Sequence, residues 1–207
     1  MKVRIKMNIQ LNTNELKACL KIAAKKDVRY YLNGVLVNAV TPRKVVLVAT
    51  DGNRLIAINA DTNDTESSEI KQLIIPREAI DAAIKGNKDK YIFLKSLGDN
   101  QYALNNTMFT AVDAKYPDYE RVIPGDPVNY VDQKLARFNP KYLLDADEAM
   151  KLIHGSNGFL MQRGTDAAIQ FVDDSKAVIV IMPLRDKDEP RYTGFMHPVA
   201  PKLEAVA

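Results

Sequence analysis

The first clear pattern in the chain is a strict alternation of apolar and polar residues over positions 2–11, which predicts a half-buried β-strand. An apolar stripe at helical spacing follows it and predicts an amphipathic helix beginning near Thr13, where Asn12 and Thr13 offer capping oxygens. Three more strands are predicted at residues 32–40, 45–50 and 55–60, separated by turn-forming residues. The first unit therefore consists of a strand, a helix and three strands. The helical stripe is formed by Leu16, Cys19, Leu20 and Ala23.

This order of elements recurs twice along the chain. Helices are predicted to begin at Pro76, where proline is tolerated, and at Asn139, which caps a helix opened by Pro140. Thr13, Pro76 and Asn139 are separated by equal intervals of 63 residues, which indicates a triplicated unit. The accompanying strands are predicted at residues 91–97, 101–105 and 107–112 in the second unit, and at 158–162, 167–172 and 177–182 in the third.

A unit of this kind cannot enclose a core by itself, because it has one apolar helix stripe and one half-buried sheet face. The units should therefore pair, which predicts an α+β fold with the helices on one face and the sheets on the other. Units one and two would form one domain. The third unit has no partner unit within the chain, so its sheet edges and helix face predict self-association.

Composition and charge narrow the classes of function. The chain has 207 residues, of which 46% are hydrophobic and 27% charged, as expected of a soluble globular protein. Its apolar stretches are only strand-sized, and its single cysteine, Cys19, lies in the apolar stripe, so we expect a cytoplasmic protein. Residues 1–31 carry eight Lys and Arg side chains against two acidic ones. This local excess suits a polyanion, although a solvated basic face is an equally open interpretation.

An enzyme is the main competing class. Asp51, His154 and His197 would be the residues of a metal-assisted hydrolase. No HExxH, CxxC, glycine-rich phosphate loop or nucleophile elbow is present, however, and Asp51 is most simply a turn former. We therefore expect no catalytic residue, no metal and no cofactor.

Five segments identify a family by resemblance. They are DVRYYLNG at residues 27–34, ATDGNRL at 49–55, YPDYERVIP at 116–124, FNPKYLLD at 138–145 and VIMPLR at 180–185. Together and in this order they resemble the bacterial DNA polymerase III beta subunit, the sliding clamp family. The resemblance implies a clamp domain at residues 1–124, like the family's second domain, and a half domain at 125–185, like the latter half of its third. Residues 186–207 would be a C-terminal extension, expected to wrap a neighbouring subunit or cover a cleft.

The resemblance implies a non-catalytic processivity factor that encircles double-stranded DNA and serves a replicative DNA polymerase and a clamp loader. Clamp rings contain twelve such units, so three units per chain imply a homo-oligomeric ring of four chains. A shortened form suggests a virus of bacteria as the source, with the host cytoplasm as its compartment. A DNA-binding or polymerase-binding accessory protein that forms no ring is the alternative.

A sliding ring must attract phosphates without reading bases, which favours diffuse positive charge from lysines. Lys17, Lys21 and Lys25 recur every fourth residue along one flank of the first helix. The third helix should contribute little, because Asp145, Asp147 and Glu148 outnumber its lysines. The expected DNA-binding residues are Lys17, Lys21, Lys25, Lys26, Arg29, Tyr30 and Tyr31, although packing roles for the two tyrosines are equally open.

Clamps also recruit partners through an apolar cleft that accepts a short peptide motif. Such a cleft needs apolar area for affinity and a few fixed polar groups for register. Asn53 stands where many bacterial clamps have histidine, so partner preference should differ. The expected cleft residues are Leu32, Thr50, Gly52, Arg54, Leu55, Pro117, Arg121, Val122, Asn139, Tyr142, Val180, Met182, Pro183, Leu184 and Arg185.

Overall fold

The structure is a computed structural model that describes residues 8–41, 43–63, 72–123, 138–155, 160–163, 169–173 and 176–184. The predicted strand positions 2–7, residues 124–137, Arg185, His197 and the extension 186–207 lie outside these ranges. Residues 124–137 include the latter part of the proline-containing stretch 116–130, which the sequence predicts to connect units two and three. The domain boundaries predicted at residues 124 and 185 therefore remain predictions.

Unit one has the predicted order of elements. Asn12 caps the first helix, because its side-chain oxygen accepts a hydrogen bond from the Asn14 backbone N–H at 2.9 Å. A short 3₁₀ turn follows at Tyr30–Leu32. The elements are β1 (Asn8–Asn12), α1 (Thr13–Ile22), β2 (Gly34–Thr41), β3 (Lys44–Thr50) and β4 (Arg54–Asp61).

Units two and three repeat this order. In unit two the elements are β5 (Gln72–Pro76), α2 (Arg77–Ile84), β6 (Tyr91–Gly98), β7 (Gln101–Leu104) and β8 (Thr107–Thr110). In unit three they are α3 (Pro140–His154), β9 (Leu160–Arg163), β10 (Ile169–Asp173) and β11 (Ala177–Ile181). Asn139 caps α3 through the Lys141 backbone N–H at 3.1 Å. The three predicted helix starts are confirmed to within one residue.

Units one and two exchange their first strands. The four-stranded sheet has the order β1-β6-β7-β8, and the seven-stranded sheet begins β5-β2-β3-β4. The strand before each helix thus pairs with the first strand after the other helix. Units one and two therefore pair through this strand exchange, as expected of two units that cannot each enclose a core. Their assignment to one domain remains a prediction.

Unit three has a partner within the chain, so the expectation that it lacks one is wrong. Its last strand β11 continues the sheet of unit one, where it lies antiparallel to β4 with Ala177 opposite Ile58 and Ile181 opposite Arg54. Helix α3 packs along α1. The strand pairing satisfies backbone groups that an isolated edge would leave to solvent. Within the described residues, β9 remains an edge strand.

The core lies between the helices and the sheets. Leu11, Leu16, Ile22, Leu47 and Ile58 are all fully buried in one cluster that includes residues of the three units. Each such side chain stabilises the fold by about 1.5–3 kcal/mol relative to exposure. Ala18 of α1 and Ala146 and Ala149 of α3 are each 0% exposed, and helices α1 and α3 are in contact.

Candidate nucleic-acid and peptide-binding surfaces

A groove of about 740 Å³ lies on the helix side of the sheets, between α1, α2 and α3. We call it the helix groove. Seven basic and four acidic side chains line it, so its walls carry an excess of positive charge. Its lining residues are Lys17, Leu20, Lys21, Ala23, Ala24, Lys25, Lys26, Asp27, Asp51, Arg54, Arg77, Asp81, Ile84, Lys141, Tyr142, Asp145 and Leu152.

Two arginines of the helix groove have structural partners. Arg77 at the start of α2 donates to the carbonyl oxygens of Leu20 at 2.6 Å, Ala23 at 2.7 Å and Ala24 at 3.0 Å. These carbonyls end α1 without intrahelical partners, so Arg77 caps that helix. Burial lowers the pKa of Arg77 from its ordinary value. Arg54 is bound by carboxylates, so neither guanidinium is free to meet a ligand.

The positive charge of the helix groove that is available to a ligand therefore comes from lysines. Lys21 forms an ion pair with Glu148 of α3, and both side chains are about half exposed. Lys17, Lys25, Lys26 and Lys141 form no ion pair with any described residue. Ammonium groups of this kind attract phosphates by charge and impose no base preference.

The acidic residues of α3 are neutralised internally. Asp145 accepts from Arg54, Asp147 pairs with Lys151 at 2.6 Å, and Glu148 pairs with Lys21. The sequence indicated that α3 contributes little phosphate attraction. Lys141 nevertheless reaches the helix groove, while Glu148 offsets one lysine of α1.

The structure separates the seven residues expected to bind DNA. Lys17, Lys21, Lys25 and Lys26 line the helix groove, and the other three lie elsewhere. Arg29 and Tyr31 line a second, smaller cavity. Tyr30 lines neither: it is 59% exposed and its ring meets the edge of Tyr31 at a centroid distance of 6.0 Å.

This second cavity has a volume of about 180 Å³, and we call it the apolar cleft. It is formed by the 3₁₀ turn before β2, the β3–β4 turn, the segment around Pro117 and the strand β11. Nine of the fifteen expected cleft residues are brought together here. They are Leu32, Thr50, Gly52, Arg54, Leu55, Pro117, Val122, Val180 and Met182.

The other expected cleft residues lie elsewhere. Arg121 is an exposed side chain paired with Asp118 at 2.9 Å, and Asn139 is used in capping α3. Tyr142 lies under Arg54 and lines the helix groove. Pro183 and Leu184 follow the end of β11 and do not line the apolar cleft, and Arg185 lies outside the described residues.

Five lining residues of the apolar cleft were not in the expected set, although Asn53 among them was already connected with partner preference. Tyr116 and Tyr119 flank Pro117 within a segment that was already singled out, so their proximity to Pro117 was an available signal. Burial raises the pKa of both tyrosines, which keeps their hydroxyls protonated at neutral pH. The lining residues outside the expected set are Arg29, Tyr31, Asn53, Tyr116 and Tyr119.

Arg29 forms the polar rim of the apolar cleft. It donates to both carboxylate oxygens of Asp27, at 3.0 and 2.8 Å, and these hydrogen bonds lower the pKa of Asp27 to about 2. Gly52 allows the arginine this position, because its φ is +90° and a Cβ there would lie 2.8 Å from the Arg29 Nη2. The Thr-Asp-Gly turn therefore requires glycine both for the positive φ and for the space that the Arg29 side chain occupies.

Arg54 is the wall between the two cavities, because it lines both of them. Its side chain is only 8% exposed and donates to Asp51 Oδ2 at 2.9 Å and Asp145 Oδ2 at 2.6 Å. The aromatic ring of Tyr142 lies 4.4 Å from its guanidinium carbon. Arg54 therefore joins unit one to α3 of unit three.

Asp51 and Cys19 are two candidate reactive side chains whose surroundings the structure describes. Asp51 acts as the expected turn former, since its Oδ1 accepts the backbone N–H groups of Asn53 at 2.9 Å and Arg54 at 3.1 Å. Across the described ranges, no three His, Cys, Asp or Glu side chains cluster as metal ligands would. Burial raises the pKa of the Cys19 thiol, which makes it a poor nucleophile. None of the helices described here has the length and apolar character to cross a membrane.

Two strand-exchanged units with helices on one face, extended by a third unit, define a DNA clamp fold. Residues 10–118 match the family model for the DNA polymerase III beta subunit, central domain. The chain therefore belongs to the DNA polymerase III beta subunit family.

Individual relatives agree with this assignment. The beta sliding clamp of Pseudomonas aeruginosa is 39% identical over 124 residues, which cover 55% of this chain and 32% of that protein. The beta sliding clamp of Vibrio cholerae is 36% identical over 108 residues, covering 49% and 28%. The chain thus spans about a third of the length of these curated relatives.

Solved structures show the same fold over most of the chain. A DNA polymerase III subunit beta from P. aeruginosa has a TM-score of 0.68 at 21% identity, covering 89% of this chain and 68% of that one. A P. aeruginosa sliding clamp bound to griselimycin has a TM-score of 0.63 at 22% identity, covering 89% and 67%. The expected clamp fold is confirmed.

Proposed function

We propose that this chain is a non-catalytic DNA polymerase processivity factor, which acts in the cytoplasm by encircling double-stranded DNA as a homo-oligomeric ring. The observation that carries the proposal is the helix groove, which is lined by lysines without ion pairs in the described residues. Lys17 and Lys141 stand on α1 and α3, whereas Lys25 and Lys26 follow the end of α1 at Ile22, so the expected helix flank does not extend to Lys25. Diffuse lysine charge suits a protein that must hold DNA and still move along it.

The ring is proposed to contain four chains. Each chain supplies three of the repeating units, and twelve units form a clamp ring in the family that the sequence resembles. The replicative polymerase and the clamp loader are the proposed partners of the ring.

The apolar cleft is proposed to tether these partners through a short peptide. Leu32, Leu55 and Val180 supply apolar walls, while Arg29 and Asn53 stand among them as polar groups. Peptide sites of this kind gain affinity from buried apolar contacts and register from a few polar contacts.

Topological retention tests the ring. Dissociated subunits would be reassembled in the presence of closed circular plasmid and challenged with salt that screens ionic contacts. We expect the protein to stay on the circle and to leave once a restriction enzyme linearises it, because a ring slides off a free end. Equal loss from circular and linear DNA would contradict encirclement and favour the non-ring accessory protein.

Charge in the helix groove can be tested with a matched pair of lysines. Lys25→Ala should reduce the slope of log K against log salt for duplex binding by about one. Lys95→Ala is the control, because Lys95 is exposed on β6, where it alternates with buried residues and faces away from the helices. Equal effects of the two substitutions would mean that the groove is not the DNA surface.

A related sliding clamp binds griselimycin, and we propose that this compound would occupy the apolar cleft of this chain, which makes it a probe of the cleft. Val122→Asp places a carboxylate at the lining and should weaken griselimycin binding at least about tenfold, which corresponds to about 1.4 kcal/mol. Val40→Asp is the control, since Val40 is 60% exposed and lies outside the cleft. Unchanged affinity of the Val122 variant, measured by calorimetry, would contradict the assignment.

A further inference from the structure

Unit two exposes two aromatic side chains on its four-stranded sheet. Along β6, Ile92 and Leu94 are fully buried in the core. Tyr91 and Phe93 alternate with them, so they point to the side of the sheet away from the core, and each is 36% exposed. A strand rises about 3.4 Å per residue, which places the two side chains about 6.8 Å apart on one face. We call this side of the sheet the aromatic face, and it includes Gln10, Asn12, Tyr91, Phe93, Lys95 and Met108.

The corresponding face of unit one is covered within the chain. Leu36, Val48 and Ala57 on that face lie in a buried cluster with two tyrosines. These tyrosines, Tyr116 and Tyr119, come from the segment between β8 and α3. In the part of the chain that the structure describes, no such cluster covers the aromatic face. The packing of the fold therefore does not account for the exposed rings of unit two.

The aromatic face carries positive charge beside its rings. Residues 85–95 contain four lysines and one acidic residue. The Lys90 ammonium lies 5.2 Å from the centroid of the Tyr91 ring, and Lys95 follows Phe93 on the same face. Neither lysine forms an ion pair with a described residue. Both cations are therefore available to an anionic ligand.

The rest of the aromatic face adds amide and apolar groups. Gln10 and Asn12 of β1 lie opposite Phe93 and Tyr91, so their side chains share this face. Met108 of β8 is 75% exposed on the same side. Among the described residues on this side of the sheet, none is acidic. The face thus lacks the charges that would repel phosphates.

Aromatic rings beside free cations suit a single strand of nucleic acid. Unpaired bases present flat faces that stack on aromatic side chains, and lysines attract the backbone phosphates. A duplex keeps these faces inside its own stack, so it offers the rings nothing to bind. A protein partner fits less well, because the cores of protein interfaces are depleted of lysine.

We propose that the aromatic face binds single-stranded DNA, with bases stacked on Tyr91 and Phe93 and phosphates near Lys90 and Lys95. Binding is independent of sequence, because every base has a face that can stack. The site is separate from the helix groove and the apolar cleft, since no described residue of the face lines either cavity. The choice of DNA over RNA rests on the proposed function, because a processivity factor works where a template strand is unpaired.

A tryptophan reporter tests the site directly. The chain contains no tryptophan, so Phe93→Trp introduces a single indole at the aromatic face. Titration of the full chain with oligo(dT) should quench its fluorescence as bases stack on the ring. Val40→Trp is the control, because Val40 is 60% exposed on β2, outside the aromatic face, and its fluorescence should stay constant. Absence of quenching in Phe93→Trp, or equal quenching in both variants, overturns the inference.

Fluorescence anisotropy with labelled oligo(dT) measures how much stacking contributes. Phe93→Ala should weaken binding at least about fivefold, whereas Phe93→Tyr should keep the wild-type affinity. Phe93→Leu retains an apolar side chain without a flat ring, so it should behave like Phe93→Ala. Duplex affinity should be the same in all three variants. Wild-type oligo(dT) affinity in the alanine or leucine variant would show that no base stacks here.

The phosphate contact and the kind of strand are tested separately. Lys95→Ala should reduce the slope of log K against log salt by about 0.7 for oligo(dT) and leave the duplex slope unchanged. Lys115→Ala is the matched control, since Lys115 is exposed on the segment between β8 and α3. Tighter binding of oligo(U) than of oligo(dT) would overturn the choice of DNA.

The inference and the proposed function can fail independently. Plasmid retention without quenching of the Phe93→Trp variant rejects only the inference. Quenching without retention on closed circles rejects only the proposed ring.

Discussion

Replacing Arg54 by methionine should destabilise the protein strongly. The substitution removes the cation from Asp51 and Asp145 while leaving their side chains only 16% and 20% exposed. It also removes the hydrogen bond to the Lys21 carbonyl oxygen at 3.2 Å and the stacking on Tyr142. Methionine fills most of the volume, so the loss is mainly electrostatic.

The magnitude follows from the partners that remain. Removing one member of a buried ion pair costs about 3–5 kcal/mol, because an uncompensated charge stays behind. Asp51 keeps two backbone N–H donors after the substitution, which compensate part of its charge. We therefore expect the lower end, about 3 kcal/mol in the free energy of unfolding.

Urea denaturation followed by circular dichroism measures this free energy. Arg121→Met is the matched control, because the Arg121–Asp118 pair is 86% and 56% exposed and should contribute about 0–1 kcal/mol. Native-state hydrogen exchange would show whether α3 and β11 lose protection first, as expected if Arg54 holds unit three. A cost for Arg54→Met no larger than that of the control would refute the reasoning.

Three further predictions concern the contact of units one and three. Glu148→Gln should free Lys21 and steepen the salt dependence of duplex binding by about one, measured by fluorescence titration; an unchanged slope would contradict this. Ala149→Leu should cost about 1–3 kcal/mol in urea denaturation, because the site is fully buried against neighbouring elements; a neutral effect would mean the contact is loosely packed. Burial raises the pKa of Glu15 above its ordinary value of 4.5, because its effect outweighs that of the ion pair with Lys176 at 2.8 Å. The Glu15 carboxyl group therefore binds its proton more tightly in the folded state than in the unfolded state. The protonated Glu15 side chain therefore adds to stability below pH 4.5, and this contribution is lost as the pH rises through the raised pKa. Glu15→Gln should make the melting temperature depend less on pH in this range. Parallel plots of melting temperature against pH for the variant and the wild type would contradict this prediction.

The repeating fold could be predicted from the sequence because its signals are local. Helix starts are marked by Asn12, Pro76 and Asn139, whose capping or steric properties act within a few residues. Strand alternation similarly depends on neighbours two positions away. The apolar residues of the cleft could also be predicted, because Leu32, Leu55 and Val180 lie in segments whose sequences resemble those of the family.

The pairing of distant polar groups could not be predicted. Arg54 was expected to face the cleft as an anchor, but its carboxylate partner Asp145 is 91 residues away. Lys21 and Glu148 are separated by 127 residues. One sequence contains no signal for which acid meets which base, because that choice depends on how α3 packs on α1. The docking of β11 on β4 escaped prediction for the same reason, since any free edge could have accepted it.

The docking of unit three links the two proposed binding surfaces. Unit three supplies Lys141 of α3 to the helix groove, and it supplies Val180 of β11 and Met182 just after that strand to the apolar cleft. Because Arg54 holds α3 in place, Arg54→Met should weaken duplex binding and griselimycin binding together. Glu148→Gln removes the ion-pair partner of Lys21, which lines the helix groove and not the apolar cleft, so it should alter duplex binding and leave griselimycin affinity unchanged. If Arg54→Met impaired one surface and spared the other, the two surfaces would not depend on a common docking of unit three.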